Sequence, residues 1–555
     1  HKVIGIKYAI TALVFLFTGF SLMLLMRWQM AYPGEPIPLI GRFFSDATAP
    51  GGRMLPEFFN QLGAMHGTVM VFMGVVPLLV GAFGNYVVPL QIGAPDMAFP
   101  KLNMASYWCF LPGGVIMMAS FFLPGGAARS GWTSYPPLSI LESGQTVWLL
   151  GMVLLITSSL LGSVNFIVTI VQLRVKGLSF MRLPFFVWSQ LVTSFLLLLA
   201  FPPLEAAAVL QLMDRLAGTS FFLPEGLVVS GQVLERSGGG SPLLWQHLFW
   251  FLAHPEVYVL ILPAMGMVAE VIANNTRKPL WGYRALVYSA CFVGFMSFIV
   301  WAHHMFLTGM GTVISAFFQT TTMIISIPSV IIVTCFLLSL WGASMRFNTP
   351  MLFALAFIPM FGIGGLTGLP LGLAAADIQL HDTQYVIGHF RYVVAPGTIF
   401  AIFAGIYYWY PKVTGRRMNE LLGKLHFWPS LLCMNGIFFP MLIQGLRGMS
   451  RRMYDGGEMY DFTDGIMVWN KVMSMSAFTL AVVQVFFIVN FFWSLRFGEK
   501  VGANPWDATT LEWTDAPSPP TAHGNFPKVP QVFRPAYEYS VPGQSQDYTP
   551  QSQEA

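Results

Sequence analysis

Four clusters in this sequence carry side chains able to do chemistry: His66 in Gln61-Leu62-Gly63-Ala64-Met65-His66-Gly67, then His254-Pro255-Glu256-Val257-Tyr258, the adjacent pair His303-His304, and His389 within His381–Val393. Each lies in or beside a long apolar stretch. Ionisable side chains are costly at membrane depth and are kept there for chemistry or for a partner. At ~100° per residue, His254 and Tyr258 share one helix face a turn apart, while Glu256 points away from them. Imidazole suits copper, iron and zinc, and three imidazoles from two helices make a copper site with an open position for a small ligand. A lone imidazole such as His389, facing that group, reads as the axial ligand of a haem iron, although spacing alone does not choose haem over another metal. One of these histidines taken singly could be a satisfied core group, but the set could not.

The elements that must position them are membrane helices. The chain has 555 residues, of which 55% are hydrophobic and 10% charged, and its mean hydropathy is +0.62. That leaves too little polar surface for a soluble globule. A backbone in lipid must satisfy its own hydrogen bonds, so an all-α bundle is expected. About twelve runs reach the ~20 apolar residues a span requires: 6–26, 63–91, 105–124, 146–173, 182–206, 243–271, 283–305, 314–341, 350–373, 383–411, 426–446 and 468–495. Residues 1–496 form this helical domain and 497–555 an extramembrane, Pro-rich and polar tail, expected to be loosely ordered towards its end. The first span lacks the pattern of a cleaved leader and reads as an anchor. The Lys/Arg bias of the short loops does not fix the orientation.

A net charge of +4 gives no case for nucleic acid. Cys109, Cys291, Cys335 and Cys433 each lie in an apolar run and read as small core residues, not as a disulfide frame or a paired-cysteine metal site. Residues 27–62 and 207–242 read as surface excursions. Asp96 stands at a membrane boundary among the amides of Asn85 and Asn103, as either a solvated loop carboxylate or a functional one. Ser158, Ser159 and Asn165 in the fourth span could serve helix packing alone. Arg451-Arg452, in a loop, could face lipid phosphates or hold carboxylates.

Taken together, these motifs resemble the catalytic subunit of the haem–copper oxidases, of the cytochrome c oxidase subunit I type, over nearly the whole chain through Asn504–Trp513. The resemblance implies a twelve-helix bundle that holds a low-spin haem, a high-spin haem, both a-type, and one copper ion, reduces dioxygen to water and pumps protons. Residue by residue, it makes His254, His303 and His304 the copper ligands and His389 the high-spin haem ligand. Tyr258 becomes the tyrosine joined covalently to the first copper histidine, and Glu256 the glutamate that branches protons between oxygen site and pump. Asp96, Asn85, Asn103, Ser158, Ser159 and Asn165 match a proton entry path, His381 and Asp382 magnesium ligands, and Arg451 and Arg452 a pair holding haem propionates. His66 matches one ligand of the low-spin haem.

The sequence departs from the family at two places. Where the family has His-Phe-His, this chain reads His389-Phe390-Arg391, and a guanidinium has no lone pair for iron. The low-spin haem is left with one identified ligand, and it could be five-coordinate, absent or ligated from elsewhere. The lysine of the family's second proton path aligns with Ile332 and its serine partner with Ala269, so either other groups such as Ser329 serve that path or all protons enter beside Asp96.

The resemblance implies partner subunits II and III, cytochrome c or another c-type donor, a bacterial-type cytoplasmic membrane in preference to a mitochondrial one, and a place in a respiratory supercomplex. A quinol oxidase is the nearest alternative. A nitric oxide reductase lacks the His-Pro-Glu-Val-Tyr arrangement, and a degenerate paralogue with a structural or assembly role would not be expected to keep the whole histidine set.

Overall fold

The computed structural model describes residues 1–554. Among the described residues, twelve helices are long and apolar enough to cross a membrane: α1 Lys2–Ala31, α2 Pro56–Ile92, α3 Pro100–Phe122, α4 Gln145–Gln172, α5 Phe185–Leu216, α6 Pro242–Thr276, α7 Tyr283–Thr308, α8 Gly311–Leu340, α9 Thr349–Leu371, α10 Gln384–Thr414, α11 Glu420–Leu446 and α12 Val468–Phe497. All coincide with the spans read from hydropathy, and several run a turn or more beyond the expected ends. Helix α2 starts a full turn or more before residue 63, and α5 runs on through Ala207, Ala208, Gln211 and Asp214, all buried. The surface excursion expected at 207–242 therefore begins only after Leu216. Polar residues lowered the hydropathy there, but Gln211 is engaged by Gln145 and Ser139 and Asp214 by the amides of Phe221 and Phe222.

Neighbours in sequence pack as neighbours in space, and α1 closes the bundle by packing on both α2 and α12. Helices α2 and α6 are the most enclosed, and α10 follows. These three carry His66, His254 and His389, so the chemistry lies on the innermost elements. Helix α10 is capped by the Thr383 hydroxyl, which accepts from the Tyr385 amide at 3.2 Å. Its crossing with α11 is close. A Cβ on Gly445 would stand 1.9 Å from the Tyr385 nitrogen, and one on Gly388 2.8 Å from Leu442, the small-residue contact by which membrane helices approach. The π-helical turns Val69–Val75 and Pro77–Gly84 in α2 and Val393–Ile399 in α10 lie just beyond the histidines of those helices, where such turns often mark functional positions.

The chain beyond 497 is not loosely ordered. Trp506, Trp513, Tyr537 and Tyr539 are buried against the ends of the helices. Arg277, just past α6, grips Asp547 through Nε and Nη2 at 2.8 and 2.6 Å and lies over the Tyr539 ring. Composition could not show this, because a few buried aromatics and one bidentate pair outweigh a polar average. Strand Arg416–Arg417 also pairs antiparallel with Glu499–Lys500, tying the end of α10 to the end of α12.

Candidate metal centre

Three imidazoles meet where α6 packs on the end of α7. The regular helix of α7 stops at Ser297, and the 3-10 turn Trp301–Thr308 follows. Consecutive side chains of an α-helix diverge by ~100°, whereas here the Nε2 atoms of His303 and His304 are 3.1 Å apart. Nδ1 of His254 is 3.3 Å from His304 Nε2. Each of the three offers a nitrogen within 4.8 Å of the others, and among the described residues no other cluster of histidines, cysteines or carboxylates does so.

The outer face of each ring is held. His303 Nδ1 lies 2.9 Å from Thr322 Oγ1, whose own proton goes to the Phe318 carbonyl at 2.6 Å. Nδ1 is therefore the donor and Nε2 keeps its lone pair for a metal, the outer-shell arrangement that orients ligating imidazoles. His304 stacks on Trp250 with ring centres 3.8 Å apart, and the Trp250 indole donates to Tyr135 at 2.5 Å. Tyr258 lies edge-on to His254 at 4.9 Å between ring centres, while His254 Nε2 has no hydrogen-bond partner. Three converging imidazole nitrogens fit a copper ion.

On α10, His389 Nδ1 donates to the Gly364 carbonyl at 2.8 Å, with Thr367 Oγ1 at 3.3 Å. That again leaves Nε2 as the free lone pair, and His389 would be able to hold a haem iron. Gly368 makes room for the ring, since a Cβ there would be 2.7 Å from His389 Cε1. His66 is different. Its Nδ1 donates to the Gly19 carbonyl at 2.7 Å, and its Nε2 lies 2.7 Å from Arg391 Nη2, so these residues do not fit an iron ligated by two imidazoles.

Glu256 is 1% exposed, and neither carboxylate oxygen has a protein partner. Towards the opposite end of the bundle, Ser158 Oγ donates to the Ser106 carbonyl at 2.7 Å, and the Tyr8 hydroxyl lies 3.1 Å from both Ser106 Oγ and Ser158 Oγ. Asn165 Oδ1 accepts from the Phe99 amide at 2.9 Å. Asn85 Oδ1 and Asn103 Nδ2 are buried without partners. Asp96 is half-exposed at the mouth of this group. Ser159 turns back to the Leu155 carbonyl at 3.2 Å and stands apart from it. Ile332 and Ala269 are fully buried, and Ser329 only returns a hydrogen bond to Ile325 of its own helix.

Two loops close over the centre. Thr383 and Ser450 form an antiparallel bridge, the Gln384 amide donates to Met449 at 2.8 Å, and Arg451 binds the Asp382 carboxylate. Burial pushes the Asp382 carboxyl up, but Arg451, His381 and Arg452 together hold it below its usual range. Asp382 and Arg452 both have left-handed backbone, with φ of 56° and 65°, a conformation that costs a non-glycine residue energy and clusters at functional sites. His381 Nε2 is 3.8 Å from Asp382 and its Nδ1 3.3 Å from Asp377.

Sequence reasoning missed Thr322, Trp250, Gly364 and Thr367 around the imidazoles, and Tyr8 and Ser106 beside Ser158. The polar ones were legible only as hydroxyls in apolar helices, a signal that packing residues share.

A family described as Cytochrome C and Quinol oxidase polypeptide I matches residues 3–479. The chain is 44% identical over 559 residues to the alternative cytochrome c oxidase subunit 1 of Bradyrhizobium diazoefficiens, covering 100% of this chain and 92% of that one. It is 40% identical over 539 residues to the quinol oxidase subunit 1 of Bacillus subtilis, covering 96% and 78%. The fold is that of a solved haem–copper terminal oxidase dimer, with a TM-score of 0.74 at 20% identity over 90% of this chain and 84% of that one.

Proposed function

The chain belongs to the cytochrome c and quinol oxidase polypeptide I family, and on that premise we propose that it reduces dioxygen to water at a haem–copper centre and couples the reaction to proton translocation. The observation that carries this reading is the convergence of His254, His303 and His304 on one point, with His389 presenting a free Nε2 from α10. A copper ion and a haem iron held here would supply electrons to dioxygen. This chain's own residues supply the rest. His254, His303 and His304 hold the copper and His389 the high-spin, a-type haem. Tyr258 gives a proton and an electron from its hydroxyl, and the partnerless His254 Nε2 is the nitrogen left for a cross-link to that tyrosine, whose formation would remove the imidazole N–H and one ring C–H hydrogen as two protons and pass two electrons to dioxygen.

Glu256 carries protons. A carboxylate with two unpartnered oxygens in an apolar core is costly to keep ionised, so it takes up a proton and releases it to the centre or to the pump. Protons reach it from Asp96 past Asn85, Asn103, Asn165 and Ser158, with Ser159, turned back on its own helix, off this line. With Ile332 and Ala269 apolar, this is the route for all protons. Arg451 and Arg452 hold haem propionates. His381 and Asp382 give two magnesium ligands, with the remaining oxygens from water or a partner.

Electrons come from cytochrome c through subunit II, because none of the four cysteines belongs to a haem-attachment or paired-cysteine copper motif. Subunit III and a respiratory supercomplex complete the assembly, in the cytoplasmic (inner) membrane of a bacterium. The likeness to a quinol oxidase keeps quinol as the second donor. Oxygen uptake by the purified complex tests the proposal: uptake with reduced cytochrome c and water as product supports it, uptake with quinol alone moves the donor to the second reading, and no uptake with either returns the chain to a structural or assembly role.

A further inference from the structure

Residues two apart on a helix diverge by ~200°, and α10 uses that divergence. His389 turns towards α9 and the Gly364 carbonyl, while Arg391 turns towards α2 and His66. The direction of the His66–Arg391 contact is fixed at the far side of the ring. The Gly19 oxygen, 2.7 Å from His66 Nδ1, is a carbonyl and can only accept, so Nδ1 carries the proton and Nε2 the lone pair. A guanidinium has five N–H donors and no lone pair. Arg391 Nη2 therefore donates to His66 Nε2 at 2.7 Å, and the electron pair that would bind iron is engaged.

Spacing says the same. An ion bound in line by two imidazoles needs about 4 Å between their nitrogens, from two bonds of about 2 Å each. No second imidazole is at hand. The other histidines of the spans are committed elsewhere: His389 to Gly364, His247 beside Trp301, His426 between Tyr407 and Gln484, and the rest to the triad. The surroundings of His66 are still polar. Arg27 is 3% exposed, gives Nη2 to Met30 Sδ at 2.9 Å, and leaves Nε and Nη1 without partners. What is missing beside His66 is a second imidazole, not polar surroundings.

We propose that Arg391 and His66 form a hydrogen-bonded guanidinium–imidazole pair in place of a two-histidine iron site, so that this chain carries no six-coordinate low-spin haem. This rests on the haem–copper reading, and the two are separable. Copper content and a carbon monoxide-binding haem report that reading, whereas the low-spin signal reports this one.

The experiment is electron paramagnetic resonance of the oxidised complex and a reduced-minus-oxidised spectrum, on the wild type and on Arg391→His. The expected result is no low-spin haem in the wild type and one per complex in Arg391→His. A low-spin haem in the wild type overturns the proposal, whatever its ligand. So does an assembled Arg391→His complex, with copper and the carbon monoxide-binding haem intact, that gains none. If that variant does not assemble, the wild-type spectrum decides alone.

Discussion

Thr322 and Glu256 are the residues whose surroundings say most about their work. Thr322 is the sole hydrogen-bond partner of His303 Nδ1, and removing such a support commonly costs about 10- to 100-fold in metal affinity. Thr322→Val should lower copper occupancy by that order when the complex is dialysed against a chelator, and unchanged occupancy would remove the hydroxyl from the account. Glu256→Gln keeps the volume and takes away the exchangeable proton. Positioned proton transfer is worth about 10²- to 10⁴-fold, so oxygen uptake and acidification by reconstituted vesicles should fall together by about 100-fold or more, and a variant that still pumps would dismiss Glu256 as the carrier. The histidines, Tyr258 and Glu256 were legible in the sequence because ionisable groups stand out in apolar helices. Thr322 was not, since only the turn that brings α7 against α8 reveals what its hydroxyl touches.

At the scale of elements, two contacts set the geometry. The approach of α11 to the first turn of α10 leaves no space for a side chain at 445, where a Cβ would stand 1.9 Å from the Tyr385 nitrogen. Gly445→Val should displace the start of α10, and haem recovered per purified complex should drop sharply. The tail is the other contact. Hydrogen bonds from Arg277 hold the Asp547 carboxyl below the usual carboxylate range. A carboxyl lowered in this way stabilises the docked tail fully above its undocked pKa, and the contribution is lost as pH falls through the lowered one. Protease cleavage within 540–554 should therefore rise on acidification below the ordinary carboxylate range, and Asp547→Asn should show the raised rate already at neutral pH. Equal rates for both proteins would show that the ion pair does not hold the tail. Hydropathy placed all twelve helices, but the continuation of α5 and the docking of the tail depend on hydrogen bonds and buried aromatics that no window average records.

At the scale of the whole molecule, the enclosed helices α2, α6 and α10 bring His66, His254 and His389 inside the bundle, and the outer helices surround them. The family likeness was legible because its motifs lie on these inner helices, whereas the fate of His66 was not, since the sequence showed an arginine at 391 without showing what it grips. The central claim is that the iron on His389 and the copper on His254, His303 and His304 face one another as one unit. Electron paramagnetic resonance of the oxidised complex, compared with that of His303→Ala, measures this directly. His303→Ala should lose one copper and gain the high-spin ferric signal of one iron per complex, because a copper and an iron held this way would be spin-coupled and silent in the wild type. Loss of that copper with no change in the iron signal would contradict the claim.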